Sequence, residues 1–229
     1  MTPIPFQGIL FDLDGTLVDN MMVHHRAWQR KLGELGLDYT LDRVKADIHG
    51  VNTEILERLF GDRYTHEERL TISRDKEAAY REIFAPEMAA NTVGGALEFI
   101  RAAYDLDVPM AVGTAGPEEN AFFVIDGLGI RSMMGHIVHS GMVTNGKPDP
   151  EVFRQAAAGI HVKLEDCLVF EDSVTGARAA NNAGCPVVVL TTTHAREEFD
   201  GLEVAAFRED FRGLTVERQP GGGGFLLAQ

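Results

Sequence analysis

The sequence is poor in cysteine, in positive charge and in long apolar runs, and each shortage argues against a class of protein. Its 229 residues include two cysteines, Cys167 and Cys185, which stand in or beside apolar segments and so suit reduced core thiols better than a disulfide framework or metal site. Lysine and arginine number 21 against 35 acidic residues, a net charge of -14, so nucleic acid and anionic membranes would be repelled. No apolar run approaches the ~20 residues that span a bilayer, and Met1–Pro5 lacks the features of a secretion signal. We therefore expect a cytoplasmic protein without nucleic-acid or membrane partners.

Helical patterns occupy the first third of the chain after one short strand. The apolar content of 45% over 229 residues suits one large domain, or a core with a smaller insert. From about residue 22 to residue 84 the apolar spacing is helical and indicates no strand. The helices predicted there are Val23–Leu35, Thr53–Phe60 and His66–Phe84. This segment is therefore predicted to be a helical insert.

The rest of the chain alternates short apolar strands with helical stretches. The predicted strands are Gly8–Phe11, Val108–Gly113, Ile137–His139, Cys167–Phe170 and Pro186–Leu190. This alternation is typical of a parallel α/β sheet with crossover helices. The sequence thus predicts an α/β core over residues 1–20 and 88–229 and a helical domain over residues 21–87. The glycine-rich stretch Pro220–Gly224 is expected to be a flexible end.

Two aspartates, Asp12 and Asp14, follow the first predicted strand where the chain enters a glycine turn. Because side chains alternate along a strand, both carboxylates leave on the same side. They repel each other unless a cation or a proton intervenes. One of them could then attack phosphorus while the other serves as acid and base. The pair alone is weak evidence, since Asx turns and calcium loops contain it too.

A threonine ends the second predicted core strand. Thr114 is followed by Ala115 and Gly116, just before a helix start at Pro117. A hydroxyl and exposed backbone N–H groups at such a place can bind phosphate oxygens. Taken alone, Thr114 could simply cap that helix.

A lysine loop and an acidic pair complete the candidate site. Lys147 lies in a loop between a glycine and two prolines. Glu171 and Asp172 follow the Cys167–Phe170 run, and Ser173 is the expected cap of the next helix. Alone, Lys147 could be a surface residue and the acids could favour a helix N-terminus. Ligands of an open parallel sheet bind at the carboxyl ends of its strands. Because every motif falls at such an end or in a neighbouring loop, we expect them to meet.

The four motifs, in this order and spanning nearly the whole chain, resemble those of the haloacid dehalogenase superfamily, in its β-phosphoglucomutase-like phosphatase branch. The resemblance implies a doubly wound, Rossmann-like parallel sheet with an inserted all-helical cap, and Mg2+ as the cofactor. The resemblance implies that Asp12 is the nucleophile and Asp14 the general acid/base, and that Lys147 stabilises the nucleophile and the phosphate. It implies phosphate binding by Thr114, Ala115 and Gly116. The metal ligands it implies are Asp12, Asp14, Glu171 and Asp172, with Glu171 either in contact with the metal or behind a residue that is.

The helical insert carries three further candidate substrate-binding residues. His24 and Trp28 match the His-x-x-x-Trp spacing of that branch's cap, and Lys76 matches a cap lysine that reaches phosphate in relatives. The alternatives are core packing for Trp28, a solvated or hinge histidine for His24, and an ordinary exposed helix lysine for Lys76. Thr53 stands where the mutase of this branch has an arginine that holds a second phosphate.

The missing arginine weakens the mutase interpretation, because a mutase must grip a bisphosphate in two orientations. We therefore expect a Mg2+-dependent phosphatase that hydrolyses a small phosphorylated metabolite, a sugar or sugar-alcohol phosphate, through an aspartyl-phosphate. Phosphoryl transfer of the β-phosphoglucomutase type is the alternative, and a sensor that binds a phosphorylated ligand without turnover is a further one. A monomer is expected, with a dimer as the alternative.

Overall fold

The computed structural model describes residues 2–229, which form two compact units. The residues up to Asp19 together with Ala89–Gln229 form the α/β unit, and Asn20–Met88 form the helical unit. The strands are β1 (Ile4–Phe6), β2 (Gly8–Phe11), β3 (Met110–Gly113), β4 (His136–Val138), β5 (Cys167–Glu171), β6 (Val187–Leu190), β7 (Ala206–Arg208), β8 (Thr215–Arg218) and β9 (Phe225–Ala228). The helices are α1 (Met21–Glu34), α2 (Leu41–Asp47), α3 (Asn52–Phe60), α4 (His66–Phe84), α5 (Ala96–Asp105), α6 (Glu118–Gly127), α7 (Glu151–Gly159) and α8 (Val174–Asn182).

A six-stranded parallel sheet forms the centre of the α/β unit, in the order β4-β3-β2-β5-β6-β7. Strand β2 lies between β3 and β5, and its Leu10 is opposite Ala111 on one side and Val169 on the other. All four of its residues are buried, as an apolar run inside a parallel sheet requires. The predicted α/β fold with a parallel sheet is confirmed.

Helices cover both faces of this sheet. Leu10 belongs to an apolar cluster with residues of α7 and α8, among them Phe153 and Ala177. The next residue, Phe11, points to the opposite face because strand side chains alternate. There its ring lies 6.4 Å from the ring of Phe99 on α5. The sheet is therefore doubly wound.

Four helices make up the helical unit, and Asn20–Met88, all of it described, contains no strand. Helix α4 covers the range predicted from the sequence and begins at a capping box, in which Thr65 and Glu68 satisfy each other's backbone N–H groups. The apolar core of the unit includes Trp28, Leu32 and Ile55. The short helix α2 was not predicted. None of the helices among residues 2–229 is both long and apolar enough to cross a membrane.

The prediction of a flexible end at Pro220–Gly224 is wrong. This stretch is the turn between β8 and β9, which pair in an antiparallel sheet with β1. Gly221 and Gly222 adopt φ values of 97° and 84°, which L-residues rarely reach, so the glycines suit the turn. Phe225 just beyond it is buried and stacks on Phe6, with the ring centres 5.7 Å apart. This apolar contact and the strand pairing hold the end of the chain in place.

Both cysteines are free and buried, as predicted for core thiols. Burial raises the pKa of Cys167 and of Cys185 to about 12. The thiolate form, which reacts with metals and oxidants, is therefore scarce at neutral pH.

Candidate active site

Asp12 lies at the carboxyl end of the central strand. Its backbone N–H donates to the Phe170 carbonyl at 2.9 Å, which continues the pairing of β2 with β5, and its side chain is buried. Gly15 then turns the chain with a φ of 89°. A Cβ at Gly15 would lie 2.0 Å from Asp172 Oδ2, so no other residue fits. The turn leaves Asp14 half-buried beside the strand end.

Lys147 joins two carboxylates that come from neighbouring strands. Its Nζ donates to Asp12 Oδ1 at 2.5 Å and to Glu171 Oε1 at 2.7 Å. All three side chains are buried. The topology of the sheet thus brings together residues that are 135 and 24 positions apart in the sequence.

Glu171, the last residue of β5, is held by the residues that lead into α8. Its Oε2 accepts hydrogen bonds from the backbone N–H groups of Asp172 and Ser173 at 2.8 and 2.7 Å, and from the Ser173 hydroxyl at 2.9 Å. Ser173 also caps α8, as predicted, by accepting from the Gly176 N–H. A Cβ at Gly176 would lie 1.7 Å from Glu171 Oε1, so this position must be glycine. Glu171 therefore accepts from Lys147 with Oε1, while Oε2 accepts the three hydrogen bonds from Asp172 and Ser173.

The site carries more buried negative charge than Lys147 balances. Burial raises the pKa of Asp12 to about 7; Lys147 opposes this shift and Glu171 adds to it. Burial, followed by the charges of Glu171 and Asp12, raises the pKa of Asp172 well above its ordinary value. The same two acids outweigh burial at Lys147 and raise its pKa. A further cation here would relieve the repulsion.

The donor set fits a divalent metal ion. Asp12, Glu171 and Asp172 each offer an oxygen, and these oxygens lie within 4.8 Å of one another. The Thr16 hydroxyl lies 3.2 Å from Asp12 Oδ2 and 3.4 Å from Asp172 Oδ1, so it bridges the two acids. Carboxylate oxygens are the ligands that Mg2+ takes in proteins. Asp12 and Asp172 are the side chains best placed to hold such an ion, because Lys147 and the α8 terminus already engage Glu171.

The threonine motif lies beside the same strand ends. Thr114 is buried at the end of β3, and its Oγ1 accepts from the Gly116 N–H at 2.9 Å and lies 3.5 Å from Asp14 Oδ2. Ala115 is exposed between them. The α/β unit therefore brings all four sequence motifs together.

The helical unit gathers its three candidate residues into a second cluster. Lys76 Nζ lies 2.9 Å from His24 Nδ1 and donates to Glu77 Oε1, also at 2.9 Å. It stands 5.7 Å from the centre of the Trp28 ring, and the His24 ring stacks on Tyr80 at 3.9 Å. Lys76 is 2% exposed, so it is not an ordinary surface lysine. Trp28 also packs in the apolar core of the unit.

Several polar residues of the two clusters were missed by sequence reasoning. Glu77 has no signal beyond its place next to Lys76. Thr192 and Thr193 were missed although they follow the strand predicted at Pro186–Leu190, where the rule used for the other motifs applies. The Thr192 hydroxyl donates to the carbonyl of Gly15. A Cβ on Gly15 would lie 2.0 Å from Asp172 Oδ2 and 2.8 Å from Thr193 Oγ1, so Thr193 also borders this site.

A comparison with known families decides the assignment. The sequence model of the haloacid dehalogenase-like hydrolase family matches residues 6–184 of this chain. The chain belongs to this family. Among solved structures of haloacid dehalogenase-like proteins, β-phosphoglucomutase from Clostridium difficile superimposes with a TM-score of 0.75 at 23% identity, over 90% of this chain and 91% of that one. That likeness shows the shared fold.

Two curated relatives of this haloacid dehalogenase-like chain are named as phosphatases. Validoxylamine A 7'-phosphate phosphatase of Streptomyces hygroscopicus subsp. limoneus is 33% identical over 94% of this chain and 97% of its own length. Fructose-1-phosphate phosphatase YqaB of Escherichia coli K12 is 29% identical over 80% of this chain and 95% of its own length. The predicted family and the predicted enzyme class, a phosphoric monoester hydrolase, are confirmed.

Proposed function

We propose that the chain hydrolyses the phosphate ester of a small sugar or sugar alcohol with Mg2+ bound, through an aspartyl-phosphate on Asp12. The observation that supports this most is the ion pair of Lys147 with Asp12, which lies in a cluster of buried carboxylates that includes Asp172. A carboxylate held in this way is ready to attack phosphorus once the charge around it is neutralised.

Asp12 performs the first step. Its free carboxylate oxygen attacks the phosphorus atom, and the bond from phosphorus to the ester oxygen breaks. Lys147 keeps the nucleophile oriented and stabilises the negative charge that spreads over the phosphoryl oxygens. Glu171 acts through Lys147, because it receives the second hydrogen bond of the ammonium group.

Asp14 moves the protons. It donates one to the ester oxygen as the alcohol leaves, and it then removes one from the water that attacks the phosphorus of the aspartyl-phosphate. That second attack breaks the bond to Asp12 and releases inorganic phosphate. Thr114 and the backbone N–H groups of Ala115 and Gly116 hold phosphoryl oxygens during both steps.

Asp12 and Asp172, with the Asp14 carbonyl that the family resemblance adds, would hold the metal ion. When bound, Mg2+ neutralises the phosphate and polarises its oxygens. The raised pKa values of Asp12 and Asp172 support a cation in this place.

Substrate choice is assigned to the helical unit, which we propose is the cap domain predicted at residues 21–87. His24, Trp28 and Lys76 would contact the part of the substrate beyond the transferred phosphate. Their donors and the apolar ring suit the hydroxyl groups and carbon skeleton of a sugar. The two curated relatives named above act, by their names, on the phosphates of a sugar and of validoxylamine A, which supports this substrate class.

A substrate screen tests the proposal. The purified chain is assayed with p-nitrophenyl phosphate and a panel of sugar and sugar-alcohol phosphates, in Mg2+, in EDTA and in Ca2+. We expect turnover with Mg2+, none in EDTA, and inhibition by Ca2+, whose larger and looser coordination shell misplaces Asp12. Full activity in EDTA would reject the metal role.

A second arm separates hydrolysis from phosphoryl transfer. β-Glucose 1-phosphate is supplied with catalytic glucose 1,6-bisphosphate, and both glucose 6-phosphate and inorganic phosphate are measured. We expect inorganic phosphate to be the main product. Robust formation of glucose 6-phosphate would contradict the proposal and favour a mutase. Binding of phosphate esters without any turnover would favour a sensor.

A further inference from the structure

Three consecutive threonines at the carboxyl end of β6 lie beside three different groups. The backbone N–H and the hydroxyl of Thr191 both lie near the Arg208 carbonyl, at 2.8 and 3.3 Å. The Thr192 hydroxyl donates to the Gly15 carbonyl. The Thr193 hydroxyl lies near the Asp172 carboxylate, beside Gly15. Thr191 thus bonds to the neighbouring strand of the sheet, and Thr192 and Thr193 lie at the candidate active site.

The neighbouring strands explain this reach. β6 pairs with β5 in parallel, with Glu171 opposite Val189, so the residues that follow each strand emerge at the same edge of the sheet. The threonine run after β6 and Asp172 after β5 are therefore neighbours by topology.

Gly15 marks the point where the two segments meet. A Cβ placed on it would lie 2.0 Å from Asp172 Oδ2 and 2.8 Å from Thr193 Oγ1. The carboxylate and the hydroxyl therefore border the same backbone atom. A hydroxyl beside a carboxylate can donate to it and so restrain its orientation.

Thr192 holds the other side of this turn. Gly15 directly follows Asp14 and has a left-handed φ of 89°. A hydrogen bond to its carbonyl restrains the Gly15–Thr16 peptide, which lies one residue beyond the proposed acid/base.

We propose that Thr192 and Thr193 are positioning residues of the active site: Thr193 orients the Asp172 carboxylate toward the divalent cation, and Thr192 holds the Gly15 turn that carries Asp14. This rests on the proposed function in one respect, namely that the cation is Mg2+. Groups that orient a metal ligand from behind commonly change metal affinity or activity by about 10–100-fold when they are removed.

Calorimetric titration with Mg2+ alone tests the role of Thr193. Thr193→Val keeps the shape of the side chain and removes the hydroxyl. We expect its Kd for Mg2+ to rise about tenfold or more, and Thr193→Ser to restore most of the affinity. Thr191→Val is the matched control, because its hydroxyl faces Arg208, and its Kd should equal that of the unaltered protein. Circular dichroism and Tm check that each variant is folded.

Kinetics separate positioning from a structural role. Thr193→Val should raise the Mg2+ concentration needed for half-maximal rate while kcat at saturating Mg2+ stays close to normal. Thr192→Val should mainly lower kcat/KM for alkyl phosphates, because kcat/KM reports formation of the aspartyl-phosphate and that step needs the proton from Asp14, with a smaller effect on kcat/KM for aryl phosphates. Equal losses of kcat/KM on both ester types would contradict the role given to Thr192.

The outcomes distinguish this inference from the proposed function. A folded Thr193→Val variant that binds Mg2+ as the unaltered protein does would overturn the role of Thr193, whatever the activity. Mg2+ binding that depends on Thr193 in a chain without phosphatase activity would reject the proposed function and leave the positioning role standing. Absence of Mg2+ binding by the unaltered protein would overturn both the metal role and this inference.

Discussion

Each unit of the molecule contains a buried lysine held by carboxylate, but the balance of charge differs between the two. In the α/β unit, Lys147 pairs with Asp12 and Glu171 while Asp172 stands beside them. In the helical unit, Lys76 pairs with its sequence neighbour Glu77. The first cluster has an excess of acid, and the second does not.

The pKa shifts of the acids follow this difference. Burial dominates at Asp12 and raises its pKa to about 7, although Lys147 opposes it. Burial would raise the pKa of Glu77 too, but the charges of Lys76 and His24, with a hydrogen bond from Asn52, lower it. The pKa values of these two buried carboxylates therefore shift in opposite directions, because Asp12 stands among further acids while Glu77 has cations and a hydrogen-bond donor around it. The excess of acid in the α/β cluster supports the proposed cation and the proposed nucleophile.

Removal of the nucleophile should have the largest effect. Asp12→Asn replaces a charged oxygen nucleophile with an amide, so we expect kcat to fall by at least about a thousandfold on every phosphate ester. Steady-state assays with p-nitrophenyl phosphate measure the loss, and circular dichroism checks the fold. Asp105→Asn, at an exposed position of the α/β unit, should retain full activity. Retention of more than a few percent of the rate by Asp12→Asn would exclude Asp12 as the nucleophile.

Removal of the lysine in the α/β unit should affect both catalysis and stability. Lys147→Met leaves buried carboxylates without their partner, so we expect kcat to fall about 100–1000-fold and the free energy of unfolding to drop by up to about 3–5 kcal/mol. Assays and urea unfolding measure the two effects. Lys163→Met, at an exposed site, is the control for the loss of a lysine. Normal kcat in a folded Lys147→Met variant would remove Lys147 from the proposed chemistry.

Removal of the lysine in the helical unit should affect only some substrates. Lys76→Ala should lower kcat/KM about tenfold for the true metabolite, a loss of about 1.4 kcal/mol, and should spare p-nitrophenyl phosphate, which offers little beyond its phosphate. Lys45→Ala, exposed on α2, should change neither value. Equal losses on both substrates would assign Lys76 to the core chemistry or to the fold, and the comparison between the two lysines would fail.

The effect of pH on stability should be the smallest of the four. The pKa of Asp12 in the folded chain, about 7, exceeds its ordinary value of 3.8. The folded protein therefore binds a proton that the unfolded chain releases, and this contribution to stability is lost as the pH rises through about 7. In EDTA we expect Tm to fall by a few degrees between about pH 6 and pH 8.

Two controls isolate the part due to Asp12. Saturating Mg2+ should remove most of this pH dependence, because the cation replaces the proton, and Asp12→Asn should remove it without metal. A pH dependence that persists unchanged in Asp12→Asn would assign it to another group, such as Asp172, whose pKa is also raised by burial.

The sequence identified the residues that directly follow strands. Asp12, Thr114 and Asp172 were predicted because each ends an apolar run, and the parallel topology then requires that they converge. Lys147 was placed by its loop and by the family resemblance. The strand and helix patterns also predicted the parallel sheet and the range of α4.

The remaining features depend on contacts that a linear pattern does not carry. Glu77 lies in the middle of a helix, and only its burial beside Lys76 distinguishes it from a surface glutamate. Strands β8 and β9 have four residues each and flank a glycine run. Such short segments did not predict that the two strands pair with each other or that β9 pairs with β1. The direction of each pKa shift depends on burial and on the number of charged neighbours, which only the fold determines.

Trapping of the covalent intermediate tests the central claim most directly. Asp14→Asn should still accept a phosphoryl group from p-nitrophenyl phosphate, whose leaving group needs no proton, but should activate water poorly for the second step. The variant is mixed with this ester and Mg2+, quenched in acid, and analysed by intact and peptide mass spectrometry. We expect one added phosphoryl group, located on Asp12 and absent from Asp12→Asn treated in the same way. A phosphoryl group on another residue, or hydrolysis by Asp14→Asn with no phosphorylated protein at any time, would contradict the account.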